Sequence, residues 1–118
     1  ANSNESWVVG FSFGALIAMQ LLMRRPEIFR FISISPQPNI FDFNFLAPCP
    51  TSGLVIHGDQ DQLVPKDTMI VLKEKLISQK NITVDFYEIK GANHFFTGKE
   101  KDLVDCIDGY IKKESRLF

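Results

Sequence analysis

The chain has 118 residues and a mass of 13.4 kDa, which is room for one domain. Apolar residues make up 45% and charged residues 23%, the profile of a folded chain and not of a disordered or collagen-like one. Thirteen basic residues against 14 acidic ones leave a formal charge of -1, without the basic surplus of a nucleic-acid-binding domain. No apolar run reaches the length of a bilayer span; the longest, Ala15 to Met23, is broken by Gln20. No membrane partner is therefore expected. Cys49 and Cys106 form no CxxC pair and belong to no Cys/His cluster, which argues against structural zinc and a disulfide scaffold. A reducing, cytoplasmic setting is the simplest expectation.

Ser6 to Val9 is short, apolar and β-prone, and Gly10 is expected to stop it. Gly14 to Arg25 follows as a helix, apolar on nearly every side and so expected to be buried. Arg24 and Arg25 suit its C-terminus and Pro26 ends it. Ile28 to Ser35 reads as a strand covered on both faces. Residues 36 to 52 carry four prolines and no helical period, so a long loop is expected. Gly53 to His57 is a third strand, closed by Gly58. Pro65 to Lys80 is an amphipathic helix with Ile70, Leu72, Leu76 and Ile77 turned inward. Ile82 to Ile89 alternates as a fourth strand. Lys99 to Glu114 is the last helix, with Leu103, Val104, Ile107 and Ile111 on one face. Strands alternating with helices predict an α/β fold: a parallel sheet with flanking helices and right-handed crossovers.

Gly10-Phe11-Ser12-Phe13-Gly14 is a G-x-S-x-G sequence lying where a strand passes into a helix. A sharp turn of that kind exposes a serine at the C-terminal end of a sheet. The two glycines would relieve clashes between strand and helix. The N–H of Phe13, at a helix N-terminus, would face a developing oxyanion. An ordinary turn with a helix-capping serine would leave the rest of the pattern unexplained.

A serine hydroxyl needs a base, and the base needs an orienting acid. There are two histidines, His57 and His94. The chain order serine, acid, histidine singles out His94, in the loop after the fourth strand. His57 then reads as a strand-end residue that buttresses the neighbouring loop. The acid is Asp59 or Asp61, in His57-Gly58-Asp59-Gln60-Asp61. One would orient His94, and the other would hold its own loop by accepting backbone N–H groups. Paired-carboxylate glycosidase chemistry would explain the two aspartates but neither Ser12 nor His94. A metal site would need a third ligand at suitable spacing.

These three stations together resemble the α/β-hydrolase superfamily, and in detail its small dienelactone-hydrolase-like branch of bacterial hydrolases. The residues that carry the likeness are 10–14 (GFSFG), 43–50 (FNFLAPCP), 57–65 (HGDQDQLVP) and 92–98 (ANHFFTG). The resemblance implies Ser12 as nucleophile, Asp61 as acid and His94 as base. It implies a small carboxylic ester or thioester as substrate, and no metal or organic cofactor. A peptidase or acyltransferase would use the same triad, and a half-domain that only binds a partner is the non-enzymatic alternative. Such hydrolases have several strands and helices before this turn, whereas nine residues precede Gly10. The expectation is that residues 1–118 are the C-terminal part of a single α/β-hydrolase domain, without its N-terminal strands and its oxyanion loop. The strand at Ser6–Val9 would then meet the missing N-terminal half or a second copy.

Several aromatic residues surround these motifs. Phe11, Phe43 and Phe95 are candidate walls of a substrate pocket, with Phe43 one of an alternating set, Phe41, Phe43 and Phe45, that would serve equally as core cover. Phe96 reads as packing for the His94 loop. Cys49, between two prolines, and Cys106, near the apolar face of the last helix, read as packing residues. The charge runs at 99–102 and 112–114 read as solvated helix faces.

Overall fold

The computed structural model describes residues 5–117. In chain order its elements are strand β1 (Ser6–Phe11), helix α1 (Phe13–Arg24), strand β2 (Ile28–Ile34), strand β3 (Gly53–Gly58), helix α2 (Lys66–Ile77), strand β4 (Val84–Ile89) and helix α3 (Glu100–Glu114). The strands form one parallel sheet in the order β1-β2-β3-β4. Parallel neighbours need a crossover, and α1 and α2 provide two of the three. The third, between β2 and β3, is the proline-rich loop. It contains one short 3₁₀ turn, Asn44–Leu46, where the sequence pattern predicted none.

Side chains of alternate strand residues enter opposite layers, as the strand period demands. Phe31 and Val55 pack with Leu16, Met19, Leu22, Leu72 and Leu76, so α1 and α2 cover one face. Ile32, Ile34, Leu54 and Ile56 pack with Tyr110, Leu103 and Ile107, so α3 covers the other. Sheet and helices together make the three-layer α/β arrangement expected.

Four details differ from the sequence pattern. β1 runs past Gly10, because Gly10 and Phe11 pair with Ser33 and Ile34. The buried stripe of α2 is Met69, Leu72 and Leu76, whereas Ile70 and Ile77 face outward. Met69, Leu72 and Leu76 follow the i, i+3, i+7 spacing of one helix face, whereas Ile70 and Ile77 have Lys73 and Glu74 between them and lie off it. On α3, Val104 is exposed and Tyr110 is buried in its place. Helix α1, expected to be buried all round, shows Ile17, Leu21 and Met23 to solvent. Both cysteines are free, and burial pushes both thiols above their ordinary value. No helix among the described residues is long and apolar enough to cross a membrane.

Candidate active site

Ser12 occupies the single residue between β1 and α1, with φ 58° and ψ -117°. A non-glycine residue at positive φ is strained by about 1–3 kcal/mol and persists only where its surroundings hold it. Here the Ser12 N–H donates to the Ile34 carbonyl of the neighbouring strand at 2.8 Å. Gly10 makes the turn possible: a Cβ there would overlap the Gly14 carbonyl and stand 2.7 Å from the Ala18 Cβ. Gly14 differs from expectation, since a Cβ there would meet no atom within 4 Å. The clash relief therefore lies with Gly10. The Phe13 N–H, in the first turn of α1, has no intrahelical acceptor and stays available to a ligand.

His94 is 3% exposed and lies in the loop between β4 and α3. Its Nε2 is 2.9 Å from Ser12 Oγ, and its Nδ1 is 2.6 Å from Asp61 Oδ2. The loop is shaped by its neighbours. Asn93 Oδ1 accepts the N–H groups of Phe95 at 3.0 Å and Thr97 at 3.1 Å. Phe96, fully buried and at φ 58°, anchors its far end.

Asp61 uses its other oxygen locally, accepting the N–H groups of Leu63 at 2.8 Å and Val64 at 3.2 Å. A carboxylate held from its own loop presents a fixed oxygen to the imidazole. Asp59 points elsewhere: its Oδ1 accepts the Gly91 N–H at 2.6 Å. So Asp59 ties the acid loop to the loop that carries His94. Gly58 lets the two loops touch, because a Cβ there would stand 2.9 Å from the Ala92 Cβ and overlap the Ala92 carbonyl. Through that close approach the Gln60 N–H reaches the Ala92 carbonyl at 2.9 Å.

The aromatic candidates divide. Phe95 stands edge-on to His94, with ring centroids 5.1 Å apart, and Phe11 lies 5.8 Å from the same ring. Both are exposed and flank the imidazole. Phe43 is a correction: it is buried in the core on the α1–α2 face and stacks on Phe45. It directly precedes the 3₁₀ turn Asn44–Leu46, whose Leu46 is buried in the same cluster. Phe41 instead approaches Phe13, with centroids 5.5 Å apart.

His57 is on the α2 face of the sheet, 3.8 Å from a Glu88 carboxylate oxygen. It lines a cavity of about 220 Å³ together with Asp61, Met69 and Lys73. Burial pushes its imidazole below the ordinary range; Glu88 pulls it up and Lys73 pushes it further down. One contact at the site has no sequence signal that reasoning from motifs could use. Ser35, at the end of β2, donates its hydroxyl to the His94 carbonyl at 2.9 Å.

A parallel sheet with a strained serine after β1, an acid after β3 and a histidine after β4 has the architecture of an α/β-hydrolase. The dienelactone hydrolase family matches residues 2–116, and the chain belongs to that family. A protein of Rickettsia prowazekii is 45% identical over an alignment of 114 residues that covers 93% of this chain and 48% of that protein. The structure of a putative alpha/beta hydrolase of Agrobacterium tumefaciens is 53% identical with a TM-score of 0.90, over 92% of this chain and 50% of that one. An alpha-beta serine hydrolase homologue from Coxiella burnetii is 30% identical with a TM-score of 0.73, over 87% of this chain and 47% of its own. The chain thus spans about half the length of these relatives.

Proposed function

We propose that the full-length protein is a serine hydrolase acting on a small carboxylic ester or thioester. Ser12 Oγ attacks the acyl carbon while His94 Nε2 takes its proton. His94 then gives that proton to the departing alcohol or thiol, leaving an acyl group on Ser12. Water, deprotonated by His94, releases the acid and restores the serine. Asp61 holds the Nδ1–H tautomer and stabilises the imidazolium as it forms. The Phe13 N–H donates to the oxyanion. The leaving group must lie within reach of His94, so Phe11 and Phe95 form its apolar flank. The continuous chain of contacts from Ser12 through His94 to Asp61, at 2.9 and 2.6 Å, is what carries this reading. A fluorophosphonate probe should label the full-length protein on the peptide containing Ser12. A folded protein that takes up no label, or takes it up elsewhere, would refute the assignment.

We also propose that residues 1–118 are the C-terminal part of one hydrolase domain, with the rest of the full-length protein continuing the sheet beyond β1. β1 ends the row of strands, and Val9, Phe13, Ile17 and Leu21 beside it are 42–55% exposed. An unpaired apolar edge favours pairing with another strand. Expressed alone, the 118-residue segment should therefore self-associate in light scattering and hydrolyse esters poorly. A stable, active monomer would contradict this.

A further inference from the structure

We propose that Ser35 is a positioning residue for His94, and that the end of β2 sets the spacing between nucleophile and base; this rests on the Ser-His-Asp reading above. Three hydrogen bonds meet at two consecutive residues. The Ile34 carbonyl accepts the Ser12 N–H at 2.8 Å. The Ser35 hydroxyl donates to the His94 carbonyl at 2.9 Å. The Ser35 N–H donates to the Ile56 carbonyl of β3 at 2.8 Å. Ser12 and the backbone of His94 are thereby pinned to one point on a central strand, although they lie 82 residues apart in the chain.

The residue type supports this reading by elimination. Ser35 is 1% exposed and has φ 50°. Burial by itself suits alanine. A positive φ by itself suits glycine. A buried hydroxyl is costly unless it has a partner, and the partner here is the His94 carbonyl. What serine adds over either alternative is the bond to the base.

The side-chain bonds of His94 orient its ring, and Asp59, Gln60 and Phe96 hold its loop on either side of it. The Ser35 bond holds the main chain from which the ring projects. Positional errors of about 1 Å in a reacting constellation cost on the order of 10²-fold in rate. The loss should fall on kcat, since the Ser35 hydroxyl is spent on the His94 carbonyl.

The test uses three variants of the full-length protein. Ser35→Gly accepts the backbone angle and removes the hydroxyl, Ser35→Ala removes the hydroxyl alone, and Ser35→Cys keeps a weak donor. Ser35→Gly and Ser35→Ala should each lower kcat by roughly 10- to 100-fold with KM unchanged, and Ser35→Cys should fall between them and the parent. The low-field proton resonance of the His94 Nδ1–H bonded to Asp61 should broaden or move upfield in step. A Ser35→Gly variant with parental kcat and an unmoved resonance, beside an inactive Ser12→Ala, would overturn the positioning role alone. A loss seen in Ser35→Ala but absent from Ser35→Gly would trace to backbone strain and would overturn it too. If Ser12→Ala itself kept full activity, the reading of the site would fail first.

Discussion

Ser12→Ala in the full-length protein should lower kcat by about 10⁶-fold, and His94→Ala should do nearly the same. That factor corresponds to about 8 kcal/mol of transition-state stabilisation. The two losses are expected to match because neither group works alone. Ser12 Oγ stands 2.9 Å from His94 Nε2, and in the proposed reaction the serine loses its proton to that imidazole. With the serine gone, the histidine has nothing to activate in the acylation step. The double variant should therefore be no slower than either single one. Losses that multiplied would show that Ser12 and His94 act independently. Initial rates on an aryl acetate, taken at saturating substrate, would measure all three. Circular dichroism and thermal midpoints would establish that the variants fold.

Asp61→Asn should lower kcat by about 10⁴-fold, because an amide at this position favours the wrong imidazole tautomer. The residual rate is expected from the Phe13 N–H and from substrate binding. Asp59→Asn provides the contrast. Its carboxylate accepts the Gly91 N–H and makes no hydrogen bond to His94. An asparagine oxygen can accept the same bond. Its effect should be small and should appear in thermal stability before it appears in kcat. Were Asp59→Asn the more damaging of the two, the acid would be Asp59, and the 2.6 Å contact between Asp61 and His94 would be incidental to turnover.

The strand-to-helix turn at Ser12, the loop position of His94 and the element order were readable because each rests on local chemistry. A glycine-flanked serine between a β-prone run and a helical run has few structural meanings. Two histidines make the search for a base short. The choice between Asp59 and Asp61 was not readable from spacing, and only the family resemblance favoured Asp61. Both lie in the same turn, and which carboxylate faces His94 depends on how the acid loop closes on Gly91 and Ala92. Phe43 misled because alternation in a loop resembles a pocket wall as much as core cover. The 3₁₀ turn at Asn44–Leu46 decides it, and that turn carries no strong propensity signal. On α2, Leu72 and Leu76 are buried as expected, but Ile70 and Ile77 lie off the i, i+3, i+7 face and Met69 completes it. Ser35 was missed altogether. Its positive φ and its bond to the His94 carbonyl come from the packing of β2 against a loop 59 residues away.

In the proposed reaction Ser12 carries the acyl group between acylation and hydrolysis. The most direct measurement is acid quenching of the full-length protein during turnover of an acetate ester, followed by mass spectrometry of its peptides. Acetyl should appear on Ser12 within the first turnover, be absent from Ser12→Ala, and accumulate far more slowly in His94→Ala. Hydrolysis that proceeds at the parental rate with acetyl on another residue, or in Ser12→Ala, would rule Ser12 out as the nucleophile.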